Sequence, residues 1–139
     1  MRAVLDPNVL ISSLLSPDGT PARLLKAWIH GEFELVISPL MVAELARALA
    51  YPKLRKRIDP DEAASVVEWL KATAELVEDP EGPPTTRSQD PGDDYLIVLA
   101  EAERAALVSG DEHLLGLSDT LPVFSPAAFL QLLSSESSA

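Results

Sequence analysis

Short apolar runs alternate with longer amphipathic segments along the chain. The runs cover residues 3–5, 33–37, 76–77, 106–108 and 122–124. Short apolar runs with little polar alternation are typical of strands that are buried on both faces of a parallel sheet. A segment such as residues 66–74 instead places apolar residues at helical spacing. The alternation predicts βαβ units, and therefore an α/β fold with a mostly parallel sheet covered by helices on both faces.

A recurring dipeptide marks the predicted helix starts, because Ser, Thr or Asp stands directly before Pro. Such a pair supplies an N-cap oxygen and a residue that is suited to the first helical position. The pairs begin at Asp6, Thr20, Ser38, Asp59, Asp90 and Ser125. The predicted helices cover about 9–15, 20–30, 40–51, 60–74, 95–103, 112–117 and 126–133. Residues 79–89 are rich in Pro, Gly and Thr and predict a surface loop, and residues 134–139 predict a polar tail.

Composition narrows the classes of protein that the chain can belong to. A length of 139 residues with 47% hydrophobic residues predicts one domain with a real core. The absence of cysteine excludes disulfides and thiolate metal sites, and two histidines are too few for a usual zinc site. No apolar stretch has the length of a signal peptide core or a membrane span, so we expect a cytoplasmic protein.

Charge is strongly negative but unevenly distributed. The net charge of -11 argues against simple electrostatic binding of nucleic acid, which needs a basic surface. Five of the 11 basic residues nevertheless lie in one short segment: Arg47, Lys53, Arg55, Lys56 and Arg57. This basic segment is either a solvated surface turn or a local patch that binds RNA phosphates.

Acidic residues lie at corresponding ends of several predicted elements. Asp6 follows the first strand, and Asp111 follows the fourth strand after a short turn. Glu44 lies on the helix after the second strand, and Asp93 and Asp94 begin the helix that leads into the fourth. Ligands of open α/β sheets bind beyond the carboxyl ends of the strands, where strand order reverses. If strands one and four are neighbours there, these acids meet at one edge of the sheet.

Clustered carboxylates repel one another unless a cation joins them. Mg²⁺ and Mn²⁺ prefer oxygen ligands, acidify a bound water and stabilise charge on a phosphate. The pattern therefore favours metal-dependent phosphodiester hydrolysis. Each acid also has a structural interpretation: Asp6 and Asp111 as helix caps, Glu44 on a solvent-facing helix surface, and Asp93 and Asp94 as favourable charges at a helix N-terminus.

Four segments in order resemble the PIN-domain nucleases. They are VLDPNVLIS near the start, SPLMVAEL with Ser38 and Glu44, QDPGDDYLIVLA, and LVSGDEHLL. The resemblance extends over residues 1–133, and it is strongest to the VapC-like group of toxin components of toxin–antitoxin pairs. It implies a single Rossmann-like PIN domain at 1–133, with about five parallel strands in the order 3-2-1-4-5 and helices on both sides.

The resemblance also implies an activity. It implies cleavage of RNA that depends on Mg²⁺ or Mn²⁺, with a metal-activated water as the nucleophile. It further implies a homodimer and an antitoxin protein as partner. The residues that it implies as metal-binding and catalytic are Asp6, Glu44, Asp94 and Asp111, and the supporting residues are Asn8, Ser109 and Asp93. The following YLIVLA favours Asp94 over Asp93 as the ligand.

Two positions depart from the family pattern. Pro7 stands where relatives usually carry Thr or another small polar residue, and His113 stands where they often carry a further acid two residues after Asp111. The departure at His113 concerns a second metal ion and not the first. Pro7 and the negative net charge leave a second hypothesis open, namely a catalytically weak or inactive PIN-like module that acts by binding a partner. A third hypothesis, a phosphate-accepting receiver-like domain, requires a lysine after a late strand. No lysine follows Lys71, which disfavours it.

Overall fold

The computed structural model describes residues 1–82 and 91–137. A central sheet is flanked by helices, and one 3₁₀ turn lies at Pro91–Asp93. The strands are β1 Arg2–Leu5, β2 Glu34–Ile37, β3 Glu75–Leu76, β4 Ala106–Val108 and β5 Val123–Phe124. The helices are α1 Pro7–Leu15, α2 Thr20–Ile29, α3 Pro39–Leu49, α4 Pro52–Arg55, α5 Pro60–Thr73, α6 Asp94–Glu103, α7 Glu112–Leu115 and α8 Pro126–Ser137.

The sheet is parallel in every described pairing, and its order is β3-β2-β1-β4-β5. The predicted fold class and strand order are therefore confirmed. β1 lies in the centre, pairs with β2 on one side and β4 on the other, and buries Ala3, Val4 and Leu5 almost completely. Since strand order reverses between β1 and β4, their carboxyl ends form the edge at which this fold places ligands.

Most of the predicted cap-and-proline starts hold in the structure. Asp6, Ser38, Asp59 and Ser125 each accept a hydrogen bond from a backbone N–H in the helix that follows. Thr20 was wrong as a cap, since the helix already includes it and Gly19 occupies the cap position without a side-chain hydrogen bond. The general rule succeeds because Pro at the first helical position removes an N–H that has no partner within the helix.

Some predicted boundaries differ from the observed ones. Pro52 does not only end a helix: it begins the four-residue α4 inside the basic segment. β3 begins at Glu75, one residue before its predicted start at Leu76. α8 continues to Ser137, past its predicted end at Leu133. Of the predicted surface loop, residues 83–90 lie outside the described part, as do residues 138–139 of the predicted tail.

Aromatic contacts pack the helices onto the core. Phe129 of α8 is completely buried and lies edge-on to Phe33, with ring centroids 5.3 Å apart. On the other side of α2, Trp28 contacts Trp69 of α5 at 5.1 Å between centroids. Rings in such tilted or perpendicular arrangements stabilise packing beyond the area that they bury. Among the described helices, none is long and apolar enough to span a membrane.

Candidate active site

Asp6 is the most buried acid of the predicted site, with a relative exposure of 4%. It is the residue directly after β1, and its N–H donates to the carbonyl of Val108 at the end of β4. Its Oδ1 accepts from the N–H of Asn8 at 3.0 Å, and its Oδ2 accepts from the hydroxyl of Ser109 at 2.8 Å. Asp6 thus combines a helix cap with a polar contact across two strands. Two of the three predicted supporting residues contact it, Asn8 through its backbone N–H and Ser109 through its side chain.

Pro7 is compatible with this arrangement. It occupies the first position of α1, where a backbone N–H would have no partner within the helix. The N–H of Asn8 caps Asp6 instead. The proline in the first motif therefore leaves the hydrogen bonding of Asp6 intact.

Ser109 connects Asp6 to Asp111. Its backbone N–H donates to Phe124 in β5 at 3.0 Å, which holds it at the carboxyl end of β4. Its hydroxyl donates to Asp6 and accepts from the N–H of Asp111 at 3.0 Å. Asp111 in turn caps α7, because its Oδ1 accepts from the N–H of His113 at 2.8 Å. At the ends of β1 and β4, one buried hydroxyl therefore joins the carboxylate of Asp6 to the backbone of Asp111.

The electrostatics of this pair favour a cation. Burial raises the pKa of Asp6, and the nearby charge of Asp111 raises it further, whereas the hydrogen bonds from Asn8 and Ser109 lower it. A carboxylate whose charge is disfavoured by desolvation and by a like charge is stabilised when a cation binds beside it. A cation beside Asp6 would therefore stabilise its ionised form.

Glu44 lies on α3 with its side chain 41% exposed, and it forms an ion pair with Arg47 on the same helix. Arg47 is the member of the basic segment whose charge also acts on Tyr95, near the start of α6. The structure therefore places a basic side chain beside a predicted metal ligand. To bind a metal ion together with Asp6, as predicted, Glu44 would have to release Arg47.

The other basic residues bind elsewhere or lie on the surface. Arg55 donates to the carbonyl of Ala50, and Arg57 donates to the carbonyl of Leu15 at the end of α1. Lys53 and Lys56 are exposed. Such contacts and exposure are those of ordinary surface residues. The role of the basic segment in RNA binding stays a prediction.

α6 brings the remaining predicted acids towards Asp6. Asp93 ends the 3₁₀ turn and Asp94 begins the helix. Tyr95 follows, and burial together with the charges of Asp6, Asp93 and Asp79 raises its pKa, so that its phenol stays protonated at neutral pH. The charges of acids from three separate parts of the chain therefore act on Tyr95. The start of α6 therefore lies near Asp6, and the role of Asp94 as a ligand stays a prediction.

Sequence reasoning missed Asp79. It lies in the predicted surface loop, but its Oδ2 accepts from the N–H of Leu40 at 2.9 Å and so caps α3 together with Ser38. Its Oδ1 is buried, and no residue of 1–82 or 91–137 donates to it. The local sequence carries no signal for this role, because the contact joins residues 39 positions apart.

The predicted ligands do not form one closed group in the described residues. Asp6 and Asp111 are linked through Ser109, Glu44 is paired with Arg47, and Asp94 lines a neighbouring cavity with Tyr95. Within residues 1–82 and 91–137, no three acidic or histidine side chains lie close enough to hold a metal ion together. The assignment of the four carboxylates as ligands stays a prediction.

Comparisons with known proteins agree with this architecture. The chain is 25% identical over 119 residues to the uncharacterized protein MJ1680 of Methanocaldococcus jannaschii, covering 86% of this chain and 76% of that protein. The crystal structure of PAE2754 from Pyrobaculum aerophilum superposes with a TM-score of 0.65 at 19% identity, covering 97% of this chain and 90% of that one.

A structure of VapBC2 from Rickettsia felis, bound to a DNA fragment from their promoter, gives a TM-score of 0.62 at 14% identity. That alignment covers 90% of this chain and 97% of the other. At these identities the two structural matches show a shared fold. The PIN domain family matches residues 2–113, most of the chain, and it includes the three segments that carry Asp6, Glu44 and Asp94 as well as the one with Asp111. The protein therefore belongs to the PIN domain family.

Proposed function

We propose that this protein is a metal-dependent endoribonuclease, the toxin component of a toxin–antitoxin pair, that hydrolyses RNA phosphodiester bonds. The observation that carries the proposal is the hydrogen-bonded group at the reversal of strand order, in which Asp6 and Ser109 are buried and Asp111 is half-buried. Asp6 and Asp111 cap two different helices, and the charge of Asp111 acts on the buried carboxylate of Asp6. A carboxylate whose ionised form is disfavoured by burial and by a neighbouring acid is suited to bind a divalent cation.

The donor set fits Mg²⁺ or Mn²⁺ by its chemistry. It consists of carboxylate oxygens, which are the ligands that these hard cations prefer. Asp6, Glu44, Asp94 and Asp111 would hold the ion, and the raised pKa of Asp6 gives the site an electrostatic reason to bind it. A bound divalent ion supplies an acidified water and neutralises charge on the phosphate.

The chain's own residues prepare this chemistry. Ser109 orients Asp6 by donating to one carboxylate oxygen, while the N–H of Asn8 holds the other. Asp93 adds negative charge beside Asp94 at the start of α6. Arg47 is placed to meet an RNA phosphate when Glu44 turns towards the ion, which reconciles an acidic protein with an anionic substrate.

The proposed partners follow from the family and its relatives. The similar chain from Rickettsia felis belongs to a complex named VapBC2. We propose an antitoxin protein as the partner of this chain, a homodimer as its own assembly, and the cytoplasm as its location. The exposed basic residues Lys53, Arg55, Lys56 and Arg57 are proposed as weaker contacts to RNA outside the site.

The test compares Asp6→Asn and Asp94→Asn with wild type in cleavage of a structured RNA in the presence of Mn²⁺. Losing a metal ligand removes several kcal/mol of transition-state stabilisation, so we expect each variant to lose roughly 100-fold or more in rate. Asp59→Asn is the matched control, since Asp59 caps α5 in the same way as Asp6 caps α1. It should retain the wild-type rate.

Two results would contradict the proposal. Equal cleavage by wild type and by both site variants would trace the activity to a contaminant. Absence of cleavage by wild type, over a range of RNAs and with excess Mn²⁺, would favour the alternative of an inactive PIN-like module that acts by partner binding.

A further inference from the structure

A cleft opens beside Asp111 at the carboxyl edge of the sheet. It has a volume of about 360 Å³ and is bounded by α1, the start of α2, the turn after β4 and the start of α8. Its walls include Asn8, Ser12, Pro21, Gly110, Asp111 and Pro126. The residues of this Asp111 cleft follow β1, β4 and β5, whereas Asp94 lines a separate cavity whose residues follow β2 and β3.

The Asp111 cleft adjoins the proposed active site. Asp111 belongs both to the cleft and to the proposed metal ligands. Ser109 joins the backbone of Asp111 to the carboxylate of Asp6, so the cleft begins next to the buried acid. Under the function proposed above, the scissile phosphate of the RNA lies at these carboxylates. A nucleotide that adjoins this phosphate along the strand would then lie in the cleft.

Asn8 and Ser12 give the cleft two neutral polar side chains that a ligand can reach. Both residues are exposed, and they lie four positions apart on α1, which places them on the same face of the helix. Asn8 binds Asp6 only through its backbone N–H. Neither the amide of Asn8 nor the hydroxyl of Ser12 forms a hydrogen bond with a residue of 1–82 or 91–137. Together they offer donors and acceptors to a bound group.

The walls of the cleft suit one of the three parts of a nucleotide. A phosphate binds beside a cation, and the described residues that line the cleft include no Lys, Arg or His. A base stacks on an aromatic ring or a guanidinium group, and the same walls contain neither. A ribose instead has hydroxyls that both donate and accept, and Val9, Pro21 and Pro126 provide apolar surface for its carbon atoms.

We propose that the Asp111 cleft holds the ribose of a nucleotide next to the scissile phosphate and that the side chain of Asn8 binds its 2′-hydroxyl. The proposal rests on the function proposed above, and it names the feature by which the site selects its substrate. Within an RNA strand the 3′ and 5′ oxygens are esterified, so the 2′-hydroxyl is the free hydroxyl of each sugar. DNA lacks this group, and a protein that binds it distinguishes RNA from DNA.

Nucleoside binding tests the Asp111 cleft without any hydrolysis. Adenosine and 2′-deoxyadenosine differ only in the 2′-hydroxyl, and neither carries a phosphate that the acidic protein would repel. Each is titrated into ¹⁵N-labelled protein while the NMR signals of the Asn8 side-chain amide are followed. Asn8 is the one asparagine of the chain, so these signals are identified by their loss in Asn8→Ala. We expect adenosine to shift them and to bind about two- to tenfold more tightly than 2′-deoxyadenosine, the range for one hydrogen bond.

Asn8→Ala is the decisive variant. It keeps the backbone N–H that caps Asp6 and removes only the side chain, so the fold and the cap are retained. We expect the two nucleosides to bind this variant equally, as measured from the backbone amide signal of Gly110. Ser12→Ala should reduce the preference for adenosine by a smaller factor. Ser65→Ala is the matched control, because Ser65 is an exposed serine of α5 outside the cleft, and it should keep the wild-type preference.

The outcomes separate the ribose site from the nuclease activity. Absence of binding, equal binding of the two nucleosides to wild type, or an unchanged preference in folded Asn8→Ala would overturn the ribose site. If adenosine is preferred but RNA is not cleaved with Mn²⁺, the ribose site stands and the proposed nuclease activity fails. If RNA is cleaved and single 2′-deoxy sugars on either side of the cut leave the rate unchanged, the activity stands and the ribose site fails.

Discussion

The acids at the two edges of the sheet differ in whether a cation lies among them. At the edge where the strands begin, Arg2 donates to the carbonyl and carboxylate of Glu103 at 2.6 and 2.9 Å. It also forms ion pairs with Glu75 at 2.8 Å and with Glu34 at 3.7 Å. These acids surround one cation, and the hydrogen bonds to Glu75 and then Glu103 raise the pKa of Arg2.

At the edge where the strands end, acids are gathered with far less compensation. Asp6 is buried beside Asp111, and its pKa is raised because burial and the neighbouring charge disfavour its ionised form. The nearby cation of the basic segment, Arg47, pairs with Glu44 and not with Asp6. Acid content alone therefore does not mark a site. At the edge of the proposed site, burial and the charge of Asp111 disfavour the ionised form of Asp6, which a bound cation would offset under our proposal.

Removing the hydroxyl of Ser109 tests the edge of the proposed site most directly. Ser109→Ala deprives Asp6 of a donor and the N–H of Asp111 of an acceptor. Groups that orient metal ligands typically contribute about 10–100-fold to affinity or activity, so we expect losses of that size in Mn²⁺ binding and in RNA cleavage. Isothermal titration and initial rates measure the two quantities.

A second buried serine provides the control for Ser109. Ser13 donates to the carbonyl of Leu10 within α1 and does not contact the acids. Ser13→Ala should leave Mn²⁺ affinity unchanged. Equal effects of the two substitutions on metal binding would show that Ser109 only supports the fold.

Removing Arg2 tests the compensated edge. Arg2→Gln leaves Glu75 and Glu103 without their shared partner, and hydrogen bonds to charged groups contribute about 1.5–3 kcal/mol. We expect the free energy of unfolding in urea to fall by about that amount, while the folded protein keeps its rate of RNA cleavage. Arg23→Gln, at an exposed position of α2, should change stability by less than about 0.5 kcal/mol. A loss of activity in Arg2→Gln without a loss of stability would contradict the division between the edges.

The raised pKa of Asp6 predicts a specific dependence of stability on pH. Above the ordinary carboxyl pKa of 3.8, the folded protein retains a proton on Asp6 that the unfolded chain has lost. This contribution to stability therefore disappears as pH rises through the raised value. Without metal, Asp6→Asn should melt at a higher temperature than wild type at pH 7, and the difference should shrink as pH falls towards 4.

Mn²⁺ should reverse this difference. By binding the folded state, Mn²⁺ should raise the melting temperature of wild type and leave that of Asp6→Asn nearly unchanged. Thermal melts followed by circular dichroism between pH 4 and 8 measure both effects. Identical melting curves for the two proteins at every pH would show that Asp6 carries no unfavourable charge.

The smallest expected effect concerns Arg47. Exposed ion pairs contribute about 0.2–1 kcal/mol, so freeing Glu44 by Arg47→Gln should tighten Mn²⁺ binding by about two- to fivefold. Lys71→Gln is the matched control, because Lys71 and Glu68 form a pair of the same spacing on α5. Weaker Mn²⁺ binding in Arg47→Gln would mean that Arg47 positions Glu44 and does not compete for it.

Local sequence determined much of this protein. Short apolar runs and cap-and-proline pairs were sufficient to predict the α/β class and the elements that carry Asp6, Glu44, Asp94 and Asp111. The resemblance to PIN-domain nucleases supplied the strand order, which the structure confirms. These features were accessible because strand burial and helix capping depend on residues only a few positions apart. The ends of the helices and strands were harder to predict, as the short α4 that begins at Pro52 shows.

The tertiary structure decided how the burial and the neighbours of the acidic side chains differ. Nothing in the sequence near Asp6, Asp79 and Glu103 distinguishes the surroundings of their carboxylates. In the structure, Asp6 lies near the charge of Asp111, Asp79 has a buried oxygen to which no described residue donates, and Glu103 forms an ion pair with Arg2. Ser109 reaches Asp6 over 103 residues, and Leu40 reaches Asp79 over 39. The sequence contains the charges, but their free energies depend on burial and on neighbours that only the folded chain brings together.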